Sequence, residues 1–127
     1  MIEEDQAIIQ AYKAFKKDYS GELPFQAYYN YVTSWNIHPI TYKEKVVGAV
    51  FTKDDQVHVA VNGPWFPRQY IKKIILPMIE KYGIIKTSVD DYNISGLKWV
   101  MKLGFKPTEK LKDKTVLVLT KDDIWVS

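Results

Sequence analysis

Apolar residues near the start of the chain recur at helical spacing. In residues 3–19, large apolar side chains return every three or four positions, with lysines between them. This pattern predicts an amphipathic helix. The aromatic residues of 23–35 have similar spacing, and the proline near the start of that segment is tolerated in a first helical turn. Two consecutive helices are therefore expected before any strand.

The apolar pattern changes to alternation between positions 38 and 61. Three runs rich in Val, Tyr, Thr and Phe, at 40–42, 45–52 and 56–61, are separated by short charged turns. This arrangement predicts an antiparallel meander. The last run is the most apolar of the three, so it is expected to lie inside the sheet.

The clearest helical stripe follows at residues 67–82, where apolar residues keep one face of a helix. Pro77 falls inside this stripe and is expected to bend the helix, because its ring removes a backbone donor. A short apolar run at 84–89 then predicts a strand. This strand should lie parallel to the one at 57–61, with the 67–82 helix as a right-handed crossover between them.

The last part of the chain begins with a capped helix. Asn93 precedes an apolar stripe that runs to Leu103, and Gly104 follows as a terminator. Two further runs, 105–110 and 115–120, predict a closing hairpin. The predicted order of elements is α, α, β, β, β, α, β, α, β, β, which places the chain in the α/β class with a mixed sheet.

The composition suits one domain over residues 1–127, because a chain of 127 residues with 46% hydrophobic content builds one core. The absence of cysteine excludes disulfides, and with only two histidines it argues against a metal site. No apolar run suffices for a membrane span and the acidic start is unlike a signal peptide, so we expect a cytoplasmic protein without a membrane partner. The net charge of +3, with Arg68 as the one arginine, is too weak a basic bias for a dedicated nucleic-acid binder.

The segment from Asn93 to Phe105 reads N-I-S-G-L-K-W-V-M-K-L-G-F. It resembles the N-x-x-A-x-x-x-Y-x-x-x-G-F segment of the acyl-CoA N-acyltransferases (GNAT), and the order of elements from residue 38 onward resembles their fold. The resemblance implies a GNAT-like fold whose first strand is missing or divergent, because a helix occupies the start of this chain. It also implies that Gly96 packs against the sheet with no room for a side chain.

The same resemblance implies a site for acetyl-CoA, but its loop is altered. Family members bind the pyrophosphate with a glycine-containing loop at the start of the crossover helix, whereas this chain has P-W-F-P-R-Q-Y-I-K-K there. In one register Gln69 and Ile71 replace the glycines, and in the other Ile71 and Lys73 do. We therefore expect that acetyl-CoA binds weakly or not at all and that no cofactor is used, and the lysines fit the solvent face of a helix at least as well. The candidate cofactor-binding residues are Val59, Val61, Arg68, Gln69, Ile71, Lys72, Lys73 and Asn93.

The family's catalytic acid is also altered. A tyrosine four residues before the motif's glycine is replaced by Val100, which cannot transfer a proton. Other groups can act as acid or base, but each also fits a structural role as a core aromatic, a hydrogen-bonded strand histidine or a turn acid. These groups are Tyr92, Tyr70, His58, Asp90 and Asp91. The catalytic residues stay unassigned at this level.

These departures favour a GNAT-like protein that acts by binding and does not catalyse. The short length, the glycine-free loop and the lysine-rich crossover helix also resemble small GNAT-like proteins of short-tailed bacteriophages. This resemblance implies a head-assembly or internal virion component, with other virion proteins as partners and the host cytoplasm or the virion as location. Trp65 and Phe66 are either an exposed anchor for such a partner or a closure of the core. The alternative function is an acetyl-CoA-dependent N-acetyltransferase with a divergent active site.

Overall fold

The computed structural model describes residues 3–19, 21–63 and 68–123. Their helices and strands follow the order predicted from the sequence. The helices are α1 (Glu3–Asp18), α2 (Phe25–Val32), α3 (Arg68–Tyr82) and α4 (Ile94–Lys102). The strands are β1 (Asn36–Tyr42), β2 (Lys45–Lys53), β3 (Gln56–Val61), β4 (Ile84–Asp90), β5 (Lys106–Lys110) and β6 (Lys114–Thr120).

The strands form one six-stranded sheet in the order β1-β2-β3-β4-β6-β5. Neighbouring strands are antiparallel except for β3 and β4, which are parallel and are joined through α3. The predicted parallel pair and its crossover helix are thus confirmed. β3 lies inside the sheet, as its apolar composition predicted, and β1 and β5 form the two edges.

Two elements, α2 and β1, differ from the sequence-based prediction by more than one residue. α2 is shorter than predicted because Pro24 has an extended backbone, with ψ at 147°, and so precedes the first helical residue. β1 is longer than predicted because its polar residues pair with β2, with Asn36 opposite Thr52 and His38 opposite Val50. Alternation of apolar residues underestimates a strand whose start is polar.

A hydrophobic core lies on each face of the sheet. On one face, α3 and α4 cover the sheet, and α3 places Ile71, Ile75 and Ile79 against it with at most 2% of each residue exposed. Each such side chain contributes roughly 1.5–3 kcal/mol through removal of its apolar surface from water. On the other face, α1 and α2 pack against β2 and the neighbouring strands, and aromatic residues make up much of this core. The sheet is therefore a middle layer between two helical layers.

The prediction that Gly96 packs against the sheet is wrong. The Asn93 side chain accepts a hydrogen bond from the Gly96 amide at 2.9 Å and caps α4. A Cβ atom built at Gly96 would lie 2.6 Å from Asn93 Cγ and 2.7 Å from its Oδ1. The glycine is small because the capping side chain folds over it. This contact is within the helix, so it lies outside what a comparison of helix and sheet patterns can predict.

Candidate active site

β3 and β4 diverge soon after they begin. Their pairing is confined to Gln56 opposite Lys86 among the described residues, and the Lys86 amide donates to the Asp55 carbonyl at 2.8 Å. Because backbone groups alternate in direction along a strand, the amides and carbonyls of Val59 and Val61 point the same way as the Asp55 carbonyl. They face the gap that opens between the strands, where no described strand pairs with them.

A cavity of about 650 Å³ passes through this gap. It reaches both faces of the sheet, because residues of α4 line one side and residues of α1 and α2 line the other. The lining on the α4 side includes Asn93, Gly96, Trp99 and Val100. The lining on the opposite side includes Phe15, Tyr28, Tyr31 and Trp35. Two molecules that enter from opposite faces can therefore meet inside the sheet.

Four polar side chains share the α1/α2 side of the gap. On β4, the residues Ile85, Thr87 and Val89 are buried toward α3 and α4, so the alternate positions point to the other face. The same alternation applies on β3, whose Val57 belongs to the core on the α3 side. The residues that this places together along the cavity are His58, Ser88, Asp90 and Lys114.

His58 is partly buried and lines the cavity between aromatic and charged side chains. Its ring lies 5.1 Å from the Trp35 ring, centroid to centroid, in an edge contact. Burial lowers the pKa of His58, while the nearby Asp90 carboxylate acts to raise this pKa and the Lys114 ammonium to lower it. No hydrogen bond joins its ring to any other residue that the structure describes. His58 is therefore neutral at pH 7 and faces the cavity as a proton acceptor.

This burial makes the stability of the fold sensitive to acid. In the unfolded chain the His58 pKa returns to about 6.5, so below that pH the unfolded state binds a proton before the folded state does. We expect the free energy of unfolding to fall as pH drops from about 6.5 through the lowered pKa, by at most about 1.4 kcal/mol per pH unit for this one group. Urea unfolding at several pH values measures this slope.

The variant His58→Gln should flatten the slope. Burial lowers the pKa of His38 as well, so His38→Gln is expected to remove a further part of the pH dependence of the free energy of unfolding. The double variant should lose the contributions of both histidines. A slope below pH 6.5 that is the same in wild type and in His58→Gln would contradict the burial of a neutral imidazole.

The predicted cofactor residues of the strand and of α4 lie at the cavity. Val59 and Val61 line the gap, and Asn93 lines the cavity beside them. The Asn93 side chain is engaged in capping α4, so it orients the helix end and leaves less of its amide for a ligand. These three residues are brought together as one surface.

The predicted phosphate-binding residues of α3 are dispersed. Arg68 donates from Nη2 to the carbonyl of Lys102 at 3.2 Å, which ties the start of α3 to the end of α4. The side chain of Ile71 is fully buried in the core and that of Lys72 is buried as well. Gln69 and Lys73 are exposed. Ile71 therefore contributes its side chain to the core and not to the exposed surface of α3.

The other residues considered as acid or base lie in different parts of the structure. Val100 lies in the core between α4 and the sheet, and Tyr70 donates its hydroxyl to the Pro39 carbonyl at the β1 edge, away from the gap. Asp91 forms an ion pair with Lys110 at 2.9 Å. Tyr92 lines the cavity and is 40% exposed. The suggested anchor at residues 65–66, the P-W-F-P loop itself and a helix start at residue 67 lie outside the described residues.

Sequence reasoning named His58 and Asp90 of the polar cluster on the α1/α2 side but missed Ser88 and Lys114. Ser88 and Lys114 join it through the pairing of β4 with β6, where Asp90 lies opposite Lys114 and Ser88 opposite Val116. The alternation of buried residues in β4 contained the signal for Ser88 and Asp90. The strand patterns alone do not predict which face of the sheet α1 and α2 cover.

Comparisons with known proteins place this geometry in a known fold. No protein-family model matches the chain, and no curated protein matches it. Among solved structures, PH1933 from Pyrococcus horikoshii OT3 matches with a TM-score of 0.72 at 14% identity, over 95% of this chain and 94% of that one. PaiA N-acetyltransferase from Thermoplasma acidophilum, solved in complex with coenzyme A, matches with a TM-score of 0.64 at 12% identity, over 93% and 92%. PseH N-acetyltransferase from Campylobacter jejuni, solved in complex with acetyl coenzyme A, matches with a TM-score of 0.61 at 14% identity, over 89% of this chain and 91% of that one.

The chain has the GNAT fold. The GNAT-like mixed sheet implied by the segment from Asn93 to Phe105 is thereby confirmed. The comparisons lend no support to the resemblance to phage proteins, which stays a prediction. None of the helices in the part of the chain that the structure describes is long and apolar enough to span a membrane.

Proposed function

We propose that this GNAT-fold chain is an N-acyltransferase that moves an acyl group from an acyl-CoA to an amine. The observation that carries the proposal is the gap between β3 and β4, which is lined by α4 on one face and by His58 with aromatic residues on the other. A donor and an acceptor that enter from opposite faces are held together there. Such positioning replaces a bimolecular encounter by a reaction within one complex.

The α4 side of the gap fits the donor. The pantetheine arm of coenzyme A is a chain of amides and methylenes, and the free backbone edge at Val59 and Val61 offers donors and acceptors as a neighbouring strand would. Trp99 supplies apolar surface at the same place. Near the start of α3, the exposed Gln69 and Lys73 are available to the phosphates. Arg68 would have to leave the Lys102 carbonyl before it could take part.

The opposite side fits the acceptor. An amine attacks a thioester carbonyl only in its neutral form, so it must lose a proton to a nearby base. We assign this base to His58, which is held neutral by burial and is open to the cavity. The ammonium first gives one proton to the His58 ring nitrogen. The new C–N bond then forms as the C–S bond breaks, the surplus proton on the attacking nitrogen passes to water, and the sulfur leaves with the electron pair of the C–S bond.

The leaving thiolate takes its proton from water in the cavity or from the His58 imidazolium. Val100 has no proton to give. Tyr28, a tyrosine on the opposite wall of the cavity, is a poor acid because burial raises its pKa. A free thiol has a pKa of about 8.5, so a thiolate departs without the help of a strong acid. The chain therefore has a plausible route to catalysis without the family's tyrosine.

A second function, binding without catalysis, has its own support. Val100 occupies the core position of the expected acid, and the Arg68 guanidinium is already bonded to α4. The phage virion or assembly role predicted from the sequence is one version of this function. We place it second because a purely binding protein has no need for a gap through its sheet with a neutral histidine at its wall.

The experiment that separates the two functions measures free thiol released from acetyl-CoA in the presence and absence of amines. We expect release to depend on both protein and amine, with an acetylated amine detected by mass spectrometry in equal amount. Release at the rate of the buffer control with every amine tried, while acetyl-CoA binds, would favour the binding function.

A further inference from the structure

The acceptor side of the cavity carries two opposite charges side by side. Asp90 of β4 and Lys114 of β6 are directly opposite residues of the antiparallel ladder, and both line the cavity. His58 lines the same cavity, and both charges act electrostatically on its pKa. Within the described part of the chain, neither enters a salt bridge, whereas Asp91 next to Asp90 is paired with Lys110 at 2.9 Å. The carboxylate and the ammonium are both available to a ligand.

An aromatic wall stands beside these charges. Tyr31 and Trp35 lie 6.3 Å apart, centroid to centroid, and Trp35 is buried while 62% of Tyr31 is exposed. Tyr28 adds a buried ring behind them. Such a wall binds an apolar or aromatic body through the removal of its surface from water.

The rim of the cavity adds a second cation. Lys17, in the last turn of α1, lines the cavity. Near it, the rings of Tyr19 and Tyr92 are in contact, with their centroids 5.5 Å apart. With Lys114, this gives two ammonium groups and one carboxylate, that of Asp90, among the described residues that line the cavity. A ligand that matches these charges carries an anionic group as well as its amine.

We infer that the acceptor is an α-amino acid with an apolar side chain. Its ammonium binds the Asp90 carboxylate and loses a proton to His58, its carboxylate binds Lys114, and its side chain lies against Tyr31 and Trp35. This inference rests on the proposed acyltransferase function and names the acceptor for it.

The charge pattern discriminates among amines. An amine without a carboxylate leaves the Lys114 ammonium without a partner. The same holds for a peptide N-terminus, because the α-carboxyl group of its first residue is in a peptide bond. A site built to bind a charged group rejects analogues that lack it more strongly than an apolar pocket rejects a change of size. The free acid should therefore be preferred to its amide.

The test compares three probes of similar size: L-phenylalanine, L-phenylalaninamide and phenethylamine. Their Kd values are measured by calorimetry on the protein alone, and their KM and kcat values with acetyl-CoA present. We expect L-phenylalanine to bind about tenfold or more tightly than the other two, as for one added charge-assisted hydrogen bond. Lys114→Met should weaken L-phenylalanine by about the same factor and should not weaken phenethylamine.

The control is Lys13→Met, which removes an exposed lysine of α1 and should change none of these values. Equal affinity for acid and amide, or a peptide preferred to both, would overturn the inference, as would a Lys114→Met variant that weakens all probes equally. Binding of the acid without any acetyl transfer would support an amino-acid site at Asp90 and Lys114 but refute the proposed function. Transfer to all three probes alike would do the reverse.

Discussion

The variant His58→Gln is expected to lower kcat for amine acetylation by about 10²- to 10⁴-fold, the usual contribution of a general base. Glutamine keeps a polar side chain beside Trp35 and the cavity but cannot accept a proton at neutral pH. The KM for acetyl-CoA should change little, because His58 lies on the acceptor side. Initial rates of thiol release measure both constants.

The matched control is His38→Gln. His38 lies on β1 with its Nε2 atom 3.1 Å from Thr52 Oγ1, and it belongs to a different cavity. Its loss should leave kcat unchanged. In wild type, kcat/KM should rise with pH through the lowered His58 pKa and then level off above about 6.5. A His58→Gln variant that is folded and has wild-type activity would remove the assigned base from the account.

Replacing Gly48 with alanine is expected to destabilise the fold by roughly 3 kcal/mol, the upper end of the range for overpacking. Gly48 of β2 lies opposite Val61 of β3. A Cβ atom at this position would meet the Ala60 carbonyl oxygen and would lie 2.8 Å from Val61 Cα. Both neighbours are backbone atoms, so β3 itself must move. The melting temperature should drop by roughly 10 °C for a domain of this size.

A glycine with free space around it serves as the control for this variant. Gly83 ends α3 with φ at +81°, and a Cβ atom there would meet nothing within 4 Å. Asparagine tolerates this backbone conformation, so Gly83→Asn should cost less than about 1 kcal/mol. Equal losses of stability in the two variants would show that the close approach at Gly48 is not the cause. Because Gly48 supports the end of β3, its variant should also weaken acetyl-CoA binding.

The sequence predicted the elements well because each has a local cause. Alternating apolar residues identify β2 and β3, a helical stripe identifies α3, and Asn93 with Gly104 bounds α4. These signals depend on neighbours within a few positions. Boundaries failed where polar residues take part in a strand or where Pro24 delays a helix.

The site was harder to predict because it depends on residues far apart in the chain. The proximity of His58, Asp90 and Lys114 follows from the order and register of β3, β4 and β6, which no local pattern contains. The burial of Ile71 follows from the rotation of α3 about its axis. The missing glycines led to an expectation of weak or absent acetyl-CoA binding, and the loop pattern carries no information on the unpaired strand edge at Val59 and Val61.

The most direct test of the account is a thermal scan with acetyl-CoA, because the gap between β3 and β4 is its central claim. A ligand at about 100 times its Kd adds roughly 2.7 kcal/mol to stability, which is a shift of several degrees for this size. Val59→Trp, which places a large ring in the gap on the α4 side, should abolish the shift, and Thr41→Phe at an exposed position of β1 should keep it. We predict a shift of several degrees that persists in high salt. No shift in wild type at millimolar acetyl-CoA, or one that high salt abolishes, would contradict the account.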